Sequence, residues 1–363
     1  MYASLSNSPS PQIKKLLSKL PLCQNSCRRY VIYILFLLLC IFPFHEYYRY
    51  KFNFAQWDLL LFTGLIALML GLYLVGSVHV RFHRTVERLL ARETLKIADD
   101  QKNLFLQELE AKASFWARCM GIVAAIAMLT AFAIALSQVF YWPRAVLGIG
   151  ETIGAYIAGN YLGRMASYGL LGWQLEKESI QVVVQPAHVD GVAGLKPIGD
   201  FYFHQAMITA IPAIYLAVWW FLFPIWPRDY SHWEDAYLIL LTVALTIEVL
   251  AFMVPIWAFH RIMLRAKEKW LEEADKLSTE ISELRRRKEG GRNDISPESL
   301  SEQIEGKTQR YWAIETMPTW PIDIKTKRRF QINNVLLFIP LLGDIAKRNI
   351  VWKDVIDLLK KLG

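Results

Sequence analysis

The chain has 363 residues, 54% of them hydrophobic, 13% aromatic and only 20% charged. So large an apolar share exceeds what an ordinary soluble domain carries and points to lipid-facing helices. The formal charge of +8 does not indicate a nucleic-acid partner. Its densest run, Arg285-Arg286-Arg287-Lys288, is the kind that solvated helix ends routinely carry.

Residues 1–29 read as a cytoplasmic tail, polar at first and then basic, without the small-residue cleavage pattern of a signal peptide. Crossing a bilayer takes about 20 mostly apolar helical residues. Open strands cannot cross, because their amides would be unpaired in hydrocarbon. Six segments qualify as spans: 30–44, 59–78, 116–140, 145–173, 205–223 and 236–259. The expected fold class is therefore an all-α polytopic membrane protein with six transmembrane helices and long cytoplasmic helical extensions. Residues 30–78, 116–173 and 205–259 form three transmembrane hairpins. Between them lie a cytoplasmic helix (79–115) and a cytoplasmic loop (174–204). A coiled-coil-like helix (260–290) and a cytoplasmic or interfacial region (291–363) follow.

Orientation comes from the basic residues. With the N-terminus inside, only Arg49, Lys51, Arg144 and Arg228 fall in outer loops, against 37 Lys and Arg inside. Both termini are then expected in the cytoplasm. The aromatic stretch His45–Tyr50 is expected to form the first outer loop at headgroup level.

A repeated unit underlies this layout. Phe82-His83-Arg84 closes one apolar run, and Phe259-His260-Arg261 closes another 177 residues later. Phe42-Pro43 and Phe223-Pro224 end the run before each. Spans one and two are thus expected to be duplicated as spans five and six.

The segment 79–115 has no Gly or Pro to stop it, so it is expected to continue span two as one helix. After span six, Met263, Trp270, Leu277 and Leu284 recur every seven residues, with Ala274 and Ile281 between them. This is either a short coiled-coil seam or an amphipathic helix docking on the 79–115 helix of its own chain. Gly290-Gly291 is expected to end it. Ser296-Pro297 reads as N-cap and first position of the next helix. The run 335–342 is too short to span and reads as interfacial or re-entrant. A last amphipathic helix surrounds Trp352.

Span four holds seven glycines, including Gly150-x3-Gly154 and Gly159-x3-Gly163, the spacing that lets helix backbones approach closely. Glu151, Asn160 and Arg164 lie in it, and Glu248 lies at the centre of span six. A charge there normally faces protein or water and has a partner. Arg164 is the expected partner of Glu248 by depth. The pair reads as a structural polar clamp or as part of a proton or ion path. The linker Gln185–Asp200 is rich in Gly and Pro. Its His188 and Asp190 are expected to hold loop shape through backbone amides, together with the turn glycines Gly191 and Gly194. A metal reading would enlist His188, Asp190, Asp200 and His204, but the spacing fits no zinc pattern. His79 and His83 read as headgroup-level residues. No catalytic residue, metal or cofactor is expected: a nucleotide loop, a nucleophile elbow and a metalloprotease motif are all missing from the sequence. The cysteines Cys23, Cys27, Cys40 and Cys119 form no disulfide framework.

His188-x-Asp190-Gly191-x2-Gly194-Leu195-x3-Gly199 resembles an HPDxxGGLxxLG-like segment of uncharacterised bacterial multi-pass membrane proteins. Met317–Asp323 is similar to the MPxWPFD stretch near their C-termini. This chain has Val189 for Pro and Ala193 for Gly. The resemblance covers about 25 residues and implies a bacterial inner membrane, with no activity attached. The expected function is a channel-like or effector/sensor component, with the bilayer and either a second copy of the chain or another protein bound through the cytoplasmic helices as partners. The rivals are a non-conducting scaffold and a membrane enzyme using the 188–204 loop.

Overall fold

The computed structural model describes residues 25–138, 142–178, 180–223, 225, 234–289 and 296–347. The expected N-terminal tail, the Gly290-Gly291 stop and the helix around Trp352 lie outside the described residues. What is described is almost entirely helical. The elements are α1 (Asn25–Tyr50), a 3-10 turn (Phe54–Gln56), α2 (Leu59–Ala91), β1 (Leu95–Lys96), α3 (Asp99–Gln138), α4 (Trp142–Gly169), α5 (Leu171–Lys177), β2 (Gln181–Val182), α6 (Lys196–Leu222), α7 (Glu234–Glu289), α8 (Pro297–Glu315) and α9 (Ile324–Lys347).

Among the described residues, four helices are long and apolar enough to cross a membrane: Phe62–Ala91, Gln101–Thr130, Lys196–Leu222 and Tyr237–Glu289. They overlap expected spans two, five and six over most of their length and span three as far as Thr130. Expected span one lies within α1, and expected span four lies in α4 and α5. His45–Tyr50 is not a loop but the end of α1, which runs on through Pro43. It stops at Lys51, whose φ is 53°.

The chain divides into two compact units. One comprises Met1–His79, Glu108–Ser167 and Val218–Tyr237; the other comprises Val80–Gln107, Tyr168–Ala217 and Leu238–Gly363. In the first, the glycine pattern is used as its spacing implies. A Cβ on Gly163 would lie 2.3 Å from the Trp116 carbonyl oxygen, and one on Gly159 2.4 Å from that of Met120. On the other helix, a Cβ on Gly121 would lie 2.9 Å from the Tyr156 carbonyl oxygen. So α3 and α4 meet backbone to backbone. Beside them Leu65 anchors an apolar cluster with Leu38, Leu39, Leu68, Met69, Ile153 and Ile157.

The core of the second unit is aromatic. Phe82, Tyr168, Phe201, Tyr202 and Phe259 are buried. Tyr168 stacks on Phe82 with centroids 3.9 Å apart, and its carbonyl accepts from the Tyr202 hydroxyl at 2.7 Å. The Phe of each Phe-His-Arg copy thus enters one core.

The segment 79–115 is two helices, not one. α2 ends at Ala91 without Gly or Pro. Glu93 takes the left-handed conformation at φ 54°, Thr94 N–H bonds the Leu89 carbonyl at 2.9 Å, and Glu93 N–H bonds that of Leu90 at 3.0 Å. This is the Schellman stop, here built on a glutamate instead of the usual glycine. β1 then pairs antiparallel with β2, Leu95 opposite Val182.

Part of the heptad face of α7 docks on α8 of its own chain. Ala274 and Leu277 pack with the fully buried Ile314, flanked by Trp270 and Tyr311. Arg310 Nε donates to Glu273 at 2.7 Å, and Lys307 pairs with Glu280. α8 opens as its sequence indicates, with Ser296 accepting from Ser299 N–H and Pro297 in the first turn.

Gly163→Ala is expected to lower stability by about 1–3 kcal/mol, since the added methyl must push backbone aside. Gly71, whose Cβ position has nothing within 4 Å, should gain up to about 1 kcal/mol as Ala from helix propensity. Thermal unfolding in detergent of both variants checks the contrast.

Candidate functional site

Glu248 lies in the apolar part of α7 and is fully buried. Its neighbours along the helix are aliphatic, so its partner must come from elsewhere in the fold. α9 supplies it. Asn333 Nδ2 donates to Glu248 Oε1 at 3.1 Å, and Asn334 Nδ2 reaches the same oxygen at 3.5 Å. Asn334 also donates to the Phe330 carbonyl at 3.0 Å, which fixes its rotamer. Among the described residues, Glu248 Oε2 and Asn334 Oδ1 are buried without a hydrogen-bond partner. Two acceptor oxygens left open beside two amides make a site able to hold a proton or a small cation. Phe330 packs on Phe252 one turn away, with centroids 4.2 Å apart.

Arg164 is not the partner of Glu248. Its Nη1 donates to Glu110 Oε1 at 2.7 Å, and Ser114 Oγ donates to the same oxygen at 3.2 Å. His79 Nδ1 lies 3.5 Å from Glu110 Oε2. The guanidinium therefore neutralises a carboxylate within the first unit. Glu151 and Asn160 are half-buried on α4. Asn160 shares a face with Arg164 one turn on, as their spacing implies.

The linker loop is built around Asp190. Its Oδ1 accepts from Val192 and Gly194 N–H, each at 3.0 Å, and Oδ2 accepts from Lys196 N–H at 3.3 Å. His188 Nδ1 lies 2.9 Å from Oδ1. The Asp190 backbone N–H also reaches that nitrogen, at 3.3 Å. Arg92 Nη1 adds a charge 3.5 Å from Oδ2. Burial pushes the Asp190 carboxyl up. The amides of Gly194 and Val192, the His188 ring and the Lys196 amide outweigh it and hold the group below its ordinary 3.8.

Four loop residues are left-handed: Ala187 at φ 58°, Gly191 at 71°, Ala193 at 56° and Gly194 at 92°. Ala193 stands where the resembled segment has Gly, which is the residue this backbone favours. Among the described residues, His188, Asp190, Asp200 and His204 do not converge as a metal-ligand set. Asp200 is exposed and His204 half-buried, both on α6.

The two sequence motifs, far apart in the chain, meet. Lys196 Nζ lies 3.3 Å from Asp323 Oδ2. A Cβ on Gly199 would fall 2.1 Å from the Pro321 carbonyl oxygen, so only glycine admits this approach. Asp323 also caps α9, accepting from Thr326 N–H at 2.7 Å. Hydrogen bonding from Thr326, before all else, lowers its carboxyl below 3.8. Upstream, His260 Nδ1 donates to the Thr319 carbonyl at 2.6 Å, and its ring stacks on Trp320 at 4.1 Å.

Sequence reasoning missed Asn333, Asn334, Glu110, Arg92 and Asp323 as partners. The adjacent Asn pair inside an apolar run was a visible signal; Arg92 gave none. No known family model matches this chain, and neither a curated protein nor a solved structure is found to be similar to it.

Because the folded Asp190 carboxyl titrates below its ordinary value, its contribution is fully present above 3.8 and is lost as pH falls through the lowered value. Asp190→Asn is therefore expected to loosen the loop at neutral pH and to remove part of the acid dependence below about pH 4. Hydrogen exchange at Val192, Gly194 and Lys196 across pH checks both effects.

Proposed function

We propose that this chain is a six-span integral membrane protein of a bacterial inner membrane, acting as a channel-like sensor or effector component. Glu248 is its responsive intramembrane group, and the α7–α8 hairpin couples it to the cytoplasm. The observation that carries this reading is the Glu248 site itself: a fully buried carboxyl inside a membrane-length helix, with one oxygen held by two Asn side chains and the other unpartnered. Such groups in membrane segments are expensive, and ion or proton pathways are where they serve.

The 37-to-4 basic asymmetry supports a cytoplasmic N-terminus and a cytoplasmic 260–290 helix. Entry of Phe82 and Phe259 into one aromatic core supports a duplicated module, with parallel repeats related about the membrane normal. The exposed apolar face of α3 (Val123, Ile126 and Leu129) suits lipid or a second copy of the chain. The enzyme reading loses support because both carboxylate oxygens of Asp190 are occupied by backbone amides.

Glu248→Gln keeps the shape and the hydrogen-bonding capacity but removes the titratable charge. It is expected to leave membrane levels normal and to abolish proton or cation flux in reconstituted vesicles. Glu248→Leu strands two Asn amides and should also cost about 1–3 kcal/mol of stability. Normal flux with Gln and lowered stability with Leu would reduce the site to a structural clamp and overturn the reading.

A further inference from the structure

Helix α9 meets the membrane part of α7 in a consistent register. His260 contacts Thr319 and Trp320. Eight residues back along α7, Phe252 contacts Phe330. Four further back, Glu248 contacts Asn333 and Asn334. As α7 is followed back toward its N-terminus, α9 advances toward its C-terminus. The two run antiparallel, and α9 reaches the centre of span six by Asn334. Thirteen residues of α9 remain beyond that point.

The residues on either side of the centre differ in kind. Lys325, Lys327, Arg328 and Arg329 are exposed in the first turns. Then Ile332, Val335, Ile339 and Leu342, at three- and four-residue spacing, are exposed on one face, while Leu337 is buried. The polar pair Asn333-Asn334, which shortens the apolar run in the sequence, is turned onto Glu248. From Phe330 to Lys347 the helix extends ~27 Å at 1.5 Å per residue, close to the hydrocarbon thickness of about 30 Å.

We infer that α9 is a seventh membrane span, and that its exposed Ile332–Val335–Ile339–Leu342 face is a contact surface for lipid acyl chains. The four basic residues sit among anionic headgroups on the face where α7 leaves the membrane, at about 1 kcal/mol each. The Lys347 end emerges on the opposite face. A helix lying on the surface would instead keep Asn333 and Asn334 at headgroup depth, away from the middle of span six. This inference revises the expectation that both termini share one side. It relies on the proposed orientation solely to say which face is cytoplasmic.

The test is single-cysteine labelling in the full chain, with Cys23, Cys27, Cys40 and Cys119 replaced by Ser. Glu289→Cys, Lys347→Cys and Val335→Cys are exposed separately to a membrane-impermeant maleimide, before and after the cells are permeabilised. Labelling of Lys347→Cys in intact cells, of Glu289→Cys only after permeabilisation, and of Val335→Cys in neither is the expected result. Labelling of the first two on the same side overturns the seventh span. Ready labelling of Val335→Cys overturns the lipid-contact face. Labelling of Glu289→Cys outside with Lys347→Cys inside keeps the span and overturns the proposed orientation instead.

Discussion

A carboxyl group taken out of water must bring partners with it, because an unpaired buried charge costs more than a single good contact returns. Glu248 sets that requirement in this fold. It stands among Leu, Ile, Val and Phe on α7, a helix that supplies no nearby donor. The requirement is met by two adjacent amides on α9, and meeting it fixes where α9 lies. Phe330 then falls against Phe252 and Trp320 against His260. The Met317–Asp323 stretch must bridge between α8 and this fixed helix. Its prolines suit the task, since each restrains itself and its predecessor to extended backbone.

Much of the fold was legible in the sequence, because hydrophobic length and glycine spacing act locally. The membrane-length runs, the close contact of α3 with α4, and the Ser-Pro start of α8 all followed from neighbouring residues. The break at Arg92–Ala98 did not. A Schellman stop needs one left-handed residue and two backbone bonds, and glutamate can serve when β1 finds β2 as a partner. That pairing is a tertiary fact with no local signature. The heptad face of α7 was legible as a seam, but a periodic stripe states that a partner exists and not which helix it is. The neighbour that folds back after a short connection, α8, takes the place.

The candidate site divides in the same way. Asp190 could be read as a loop organiser, because Asp followed by glycines is what amide-capturing turns are made of. Arg164 and Glu248 could not be paired or separated from depth alone. Helix depth sets one coordinate of three, and Glu110 and Asn333 were closer in the other two. On a hydropathy scale Asn333-Asn334 only interrupts an apolar run. Hydropathy averages over helix faces, whereas a buried carboxyl selects one face. The same averaging makes residues 335–342 read as too short to span.

Seen along α9, the two polar centres of the second unit are connected by covalent structure and not by proximity alone. Asp323 caps the helix and holds Lys196, whose backbone amide is bound by Asp190. Ten residues later Asn333 holds Glu248. A rigid helix of that length transmits a shift at one end to the other with little loss, since packed elements switch between arrangements and do not deform smoothly. Pro255 interrupts the hydrogen-bond ladder of α7 between Glu248 and the seam with α8, and a helix bends most readily there. If Glu248 takes up a proton or cation as proposed, α9, which keeps its N-cap and has two amides in the site, is better built than α7 to carry the change. The physical warrant for coupling is an element whose position both sites bias, and α9 is held at each by a named carboxylate.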